Sequence, residues 1–308
     1  MGKGHGFGKV ILFGEHFVVH SIPGIASATS LSTEAVVRKS EGPGLTVIDN
    51  RKGTEGYSHS KKEQQKESLE FLAKAIGIDV SENPLEITLA GSLPVFSGIG
   101  ASAASCVAIA RAISDEFGMD LSDERINEIA YEAEKAYQGN PSGIDNTAAT
   151  YGGLIWFKRG APSTMERMSL TKPVEIVMGN TGVVADTAAV VNGVGERKKA
   201  NPEKYDRIFR EAEELVFKAR KALESDDIRT VGHLMNENQR LLEEIEVSSK
   251  ELDHLIGIAK RNGAWGAKLT GGGRGGCMVA LTPGKELQER VASAMEREGF
   301  KVLRMTVG

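Results

Sequence analysis

Apolar positions in the stretch 60–77, SKKEQQKESLEFLAKAIG, recur as Leu69, Leu72, Ala73 and Ile76. That is the spacing of one helical face, and Gly77 supplies a stop. Ile126, Ile129, Ala130, Ala133 and Tyr137 draw the same stripe along LSDERINEIAYEAEKAY. From Ser102 to Phe117 one whole side of the pattern is apolar, which again predicts a helix. Further helices are predicted near 201–225, 227–246, 249–262 and 284–298. Segments that alternate, or that are rich in β-branched residues, read as strands: FGKVILFG, STEAVVRKS, GLTVIDN, LEITLAGSLP, LIWFKRG, VEIVMGN, GCMVALTP and KVLRMTV. EGPG is a turn between the second and third, and GNPSGIDNTAATYGG breaks the pattern before a short helix. Around 160–172 the chain turns polar between Pro162 and Pro173. The order predicts an α+β protein in two layers, with one domain over 1–165 and another over 166–308.

Composition removes several classes of function. The formal net charge is -4, and the basic run GERKKANPEK is mixed with acids, so nucleic-acid binding is not expected. No stretch approaches the roughly 20 apolar residues of a membrane span, and no membrane partner is expected. Cys106 and Cys277 lie in apolar or small-residue runs and read as buried thiols, which suits a cytoplasmic setting. The oligomeric state stays open, with a homodimer allowed.

Between a predicted strand and the helix from Ser102 lies PVFSGIGASAAS, Pro94 to Ser105. Such small residues at a helix start suit an anion, because the backbone can approach closely and the helix dipole is favourable. A Walker A loop needs a lysine that is absent here. The pattern Gly98-x-Gly100-x-x-Ala103 matches a dinucleotide fingerprint in form. However, the acids that follow, Asp115 and Glu116, end a helix and no second strand follows. A loop that wraps nucleotide phosphates and a glycine turn that serves only tight helix packing are the readings that remain.

Three segments together carry a resemblance. PVFSGIGASAA resembles the second motif of the GHMP kinases, with Ala101 in place of the usual first serine and Ser102 kept. GKVILFGEHFVVHSIPGIASA, residues 8–28, is similar to the first motif, and GAKLTGGGRGGCMVAL, residues 266–281, to the third. They stand in family order over essentially the whole chain. The family fold implied is a ribosomal-protein-like α/β N-terminal domain and a ferredoxin-like α+β C-terminal domain. EKAYQGNPSGIDNTAATYGG narrows the implied reaction to ATP-dependent phosphorylation of the 5-hydroxyl of mevalonate. The alternatives are another small-molecule kinase of the family, such as a phosphomevalonate or sugar kinase, or a non-catalytic sensor. In that segment Gln138 and Lys135 stand where histidine and arginine are usual, and little effect is expected. Arg274 stands where glycine is usual, and the expectation is that it reaches a nucleotide phosphate or an acid.

The resemblance also implies roles. Pro94, Ser97, Gly98, Ile99, Gly100, Ala101, Ser102 and Ala103 would cradle ATP, and Glu15, His16 and Thr187 would contact mevalonate. Asp145 would be the catalytic base, with Lys9 beside it. On its residues alone, Asp145 could equally cap the short DNTAATYG helix. Glu134 lies roughly 80° round the helix from Ile126, at the edge of the apolar stripe. An acid there needs a cation, and the family implies Mg²⁺ shared with Ser102. A half-exposed salt bridge is the plain alternative.

Overall fold

The computed structural model describes residues 1–53, 62–95 and 98–308. Contacts divide the chain into two compact units. One comprises Met1–Lys9, Thr29–Phe96 and Gly100–Gly152, the other Val10–Ala28, Ser97–Ile99 and Gly153–Gly308. The sequence offers a single break near residue 165. The contact boundary instead falls after Gly152, and Val10–Ala28 joins the later part. The reason is that β1 (Gly2–Phe13) and β2 (Gly24–Lys39) are long strands, each with residues in both units.

In the first unit β4 (Leu85–Gly91) pairs antiparallel with the end of β2, Thr33 opposite Gly91, and parallel with β3 (Leu45–Asp49). Helices α1 (Lys62–Ile76), α2 (Ala101–Glu116), α3 (Asp123–Gln138) and α4 (Ile144–Tyr151) complete it. The predicted stripes do face the core: Leu69, Leu72 and Ile76 cluster with Ile126, Ile129, Val37 and Ile87.

Strand β1 packs on α2 through a match of periods. Alternate residues Gly2, Gly4 and Gly6 lie against Ala112, Ala108 and Ala104. A Cβ added to them would fall 2.1, 2.3 and 2.3 Å from those three carbonyl oxygens. Two strand residues advance about 6.6 Å and four helical residues about 6 Å, so the two ladders stay in step. The run ends by bringing Lys9 to the start of α2. There, a Cβ on Gly100 would sit 2.7 Å from Lys9 Cγ.

In the second unit, Gly24–Ser27 of β2 pairs antiparallel with β5 (Leu154–Lys158), which pairs antiparallel with β6 (Thr164–Met168). A separate antiparallel sheet has the order β10-β7-β9-β8. Its strands are β7 (Val174–Asn180), β8 (Gly266–Thr270), β9 (Cys277–Leu281) and β10 (Lys301–Val307). Four helices, α5 (Thr187–Ala200), α6 (Pro202–Glu224), α7 (Ile228–Glu244) and α8 (Lys250–Arg261), lie between β7 and β8. A fifth, α9 (Lys285–Arg297), lies between β9 and β10. The order of elements, β-α-β-β-α-β, is ferredoxin-like, with an enlarged first helical connection. Helix α5, β6 and β8 have no counterpart among the predicted elements. Cys106 and Cys277 are both buried and form no disulfide. Among the described residues no helix is long and apolar enough to cross a membrane.

Candidate active site

The first unit gathers four of the residues singled out in the sequence. Lys9 Nζ lies 3.1 Å from Asp145 Oδ1, with Lys9 only 3% exposed and Asp145 21%. Asp145 is not the helix cap. Gly143, with φ 91°, occupies the N-cap of α4, and Asp145 lies in the first turn. There its charge is favoured by the helix dipole, while its carboxylate remains open to a ligand.

Helix α2 starts at Gly100, whose φ of 70° and close approach to Lys9 both require glycine. No side chain caps this end and no acid lies in its first turn. Its first N–H groups therefore have no intrahelical acceptor and could receive an anion. Of the remaining loop residues, Pro94 and Ser102 are half-buried, and the Ile99 side chain is fully buried, so Ile99 can offer only its main chain. Ser97 lies outside the described residues.

Glu134 is completely buried, which corrects the half-exposed salt bridge. Its carboxyl is pushed up to about 7, first by burial and then by the neighbouring charge of Asp145. Hydrogen bonds from Ser102 and Gln138 and the charge of Lys9 oppose the shift. The Gln138 amide donates to Oε2 at 2.8 Å. A buried carboxylate held this high is short of positive charge, and it shares a hydroxyl with Ser102. One carboxylate and one hydroxyl are hard oxygen donors, so Glu134 and Ser102 could hold Mg²⁺, with nucleotide oxygens and water completing the shell.

The second unit holds the other residues. Glu15 was expected at the substrate, but its side chain is fully buried in an ion pair with Lys268. Asn238 donates to its Oε2 at 3.4 Å, and Lys268 also donates to the Leu269 carbonyl. Breaking such a pair from one side costs about 3–5 kcal/mol, so Glu15 serves to anchor the first motif against β8. Nothing in the sequence told which way this side chain turns.

His16 has φ 60°, a strained value for a residue with a side chain. Its Nε2 lies 2.9 Å from the Gly272 carbonyl. A carbonyl only accepts, so Nε2 carries the proton. Burial brings the imidazole from 6.5 down to about 4, so the ring is neutral at pH 7. Nδ1 is then a buried acceptor with no partner. Thr187, the first residue of α5, packs on the same glycine: a Cβ on Gly272 would meet Thr187 Oγ1 at 2.8 Å. His16 and Thr187 thus meet around Gly272, a residue the sequence reading did not single out. Gly98 belongs to this unit as well, and a Cβ there would touch Cys277.

The His16 shift has a stability consequence. The folded value lies below the unfolded one, so the contribution is complete above pH 6.5 and is lost as pH falls toward 4. Across that window wild type should lose on the order of 3 kcal/mol more than His16→Gln. Urea midpoints of the two proteins at pH 7.5 and pH 4.5 check this. Parallel losses would contradict it.

Of the two contacts expected of Arg274, the acid is not the one it makes. Its backbone N–H donates to Val247 O at 2.7 Å and its Nε to Glu246 O at 2.9 Å, so the main chain and not an acid receives it. Its φ is 56°, which glycine would adopt without strain. Arg274→Gly should gain about 1 kcal/mol from relieved strain and lose about the same in hydrogen bonding. Its denaturation midpoint should stay near wild type, and a large drop would show that Arg274 holds the loop.

Comparisons with known proteins bear on the family of the chain. The GHMP kinase N-terminal domain matches residues 65–153, and the GHMP kinase C-terminal domain matches residues 219–302. The mevalonate kinase of Pyrococcus horikoshii is 35% identical over 310 residues, covering 94% of this chain and 91% of that protein. That of Methanothermobacter thermautotrophicus is 31% identical over 296 residues, covering 96% and 94%. Among solved structures, L. major mevalonate kinase in complex with R-mevalonate superposes with a TM-score of 0.94 at 38% identity. That match covers 100% of this chain and 96% of the other.

Proposed function

Because the chain belongs to the GHMP kinases, we propose that it transfers the γ-phosphoryl group of ATP to the 5-hydroxyl of mevalonate, giving 5-phosphomevalonate and ADP. One observation carries the choice of acceptor: the 38% identity, across the whole chain, to a mevalonate kinase solved with R-mevalonate.

The chemistry follows from the residues of the first unit. The substrate oxygen forms a bond to the γ-phosphorus as the bond to ADP breaks, and Asp145 takes the hydroxyl proton. Lys9, nearly buried 3.1 Å from that carboxylate, holds it in place and offsets charge developing on the oxygen. The main-chain N–H groups at the start of α2 hold the phosphates, with Ser102 beside them. When bound by Ser102 and Glu134, Mg²⁺ would neutralise phosphate charge. The lone pair of His16 Nδ1 and the Thr187 hydroxyl are the contacts assigned to mevalonate. His16, being neutral, accepts from a substrate hydroxyl rather than pairing with the carboxylate.

ADP release should be measured with mevalonate, 5-phosphomevalonate, galactose and homoserine as acceptors. Turnover with mevalonate alone is expected. Preference for any of the others would move the acceptor elsewhere in the family.

A further inference from the structure

Gln138 is the last residue of α3, one helical turn beyond Glu134, and its half-buried side chain turns back along the helix. The amide N–H donates to Glu134 Oε2 at 2.8 Å. A solvent-facing glutamine at a helix end would lose side-chain entropy in doing so, for little return. Here the acceptor is a carboxylate with no exposure at all, which cannot turn to water for a substitute. Its other hydrogen-bond donors are the Ser102 hydroxyl and the Cys106 thiol, whose sulfur lies 3.9 Å from Oε1. The thiol is itself shared with Ser68 and is a weak donor. Gln138 is therefore a full-strength neutral donor on Oε2.

We propose that Gln138 is a positioning residue: its amide holds the Glu134 carboxylate in the orientation that takes the divalent cation, and so sets the affinity for that cation. This rests on the reading of Glu134 as a cation ligand and is independent of the identity of the acceptor alcohol. An amide suits the task because it carries no charge. It fixes the carboxylate without neutralising the negative charge that the cation needs, as a lysine or arginine would. Partners of this kind, one bond removed from the metal, typically change metal affinity about 10–100-fold when removed.

The test is Mn²⁺ binding to the full chain in the presence of the β,γ-imido analogue of ATP, followed by the loss of the free Mn²⁺ electron paramagnetic resonance signal. Gln138→Met keeps the length of the side chain and removes the donor. It should raise the Mn²⁺ dissociation constant about tenfold. Gln138→His returns an N–H donor and should restore most of the affinity. Melting of the metal-free proteins is measured alongside. A lower melting temperature for Gln138→Met with an unchanged Mn²⁺ constant overturns the proposal and leaves Gln138 a structural residue. A tenfold loss that Gln138→His does not recover overturns the role of the amide. Glu134→Gln separates the two layers: if it binds Mn²⁺ as tightly as wild type, Glu134 is no ligand and the proposal falls with that assignment. If mevalonate is not phosphorylated but Gln138→Met still weakens Mn²⁺ binding, the acceptor is wrong and the proposal stands.

Discussion

Asp145→Asn is expected to lower kcat by about 10²–10⁴-fold, the usual cost of losing a general base. Asparagine keeps the shape and one oxygen that Lys9 can still donate to, but it has neither the charge nor the basicity. KM should move much less than kcat, because the lost interaction belongs to the transition state. The fold should survive with some loss. Lys9 is 3% exposed and would face a neutral partner, so a destabilisation of about 1–3 kcal/mol is expected. Turnover is therefore compared per folded molecule, well below the melting transition. A helix-cap role would have left both quantities intact, and Gly143 already fills that position. Turnover within a few-fold of wild type would reject Asp145 as the base.

The second large effect is on the fold. In Gly4→Val the new Cβ would be placed 2.3 Å from Ala108 O, 2.6 Å from Ala112 N and 2.7 Å from Arg111 Cβ. Two of these atoms are helix backbone, so the clash can be relieved only by parting β1 from α2. Separation would expose the alanine ladder of α2 and withdraw Lys9 from the start of the helix. A loss above about 4 kcal/mol is expected, seen as a collapse of the urea midpoint or of soluble yield. Gly44→Ala is the control. Gly44 has a positive φ, 67°, but nothing lies within 4 Å of the added atom. It should cost about 1 kcal/mol. Similar midpoints for the two variants would show that the strand–helix ladder does not determine stability.

These two sites show how unevenly the molecule could be read in advance. Helices with a clean apolar stripe, such as α1 and α3, were legible because each buries one face. Helix α5 was not, since Val194 is its only buried residue and its pattern has no stripe. Strand β6, TMERM, is an edge strand with no buried position, so its alternation carries little signal. Strand β8, GAKLT, hides its nature in Lys268, which reads as a surface residue but is buried against Glu15, 253 positions away. The glycines of β1 were legible as a strand but not as a contact, because their partners lie about 100 residues on.

In the candidate site, the structure brings Lys9, Ser102, Glu134 and Asp145, which come from separate motifs, into one neighbourhood. What the motifs could not convey is direction. Glu15 turns inward, Arg274 reaches the main chain, and Gln138, expected to matter little, reaches Glu134. Side-chain direction depends on tertiary neighbours, and a single sequence does not list them.

The central claim is transfer of a phosphoryl group to the primary alcohol of mevalonate. Proton-coupled ³¹P nuclear magnetic resonance of the product, after incubation with ATP, Mg²⁺ and mevalonate, tests it most directly. A phosphate on the 5-oxygen couples to the two protons of the adjoining methylene, so a triplet is predicted, growing in step with the signals of ADP. A singlet would place the phosphate on the tertiary 3-oxygen, and ATP left unconsumed would mean no transfer to mevalonate at all. Either result would contradict the account.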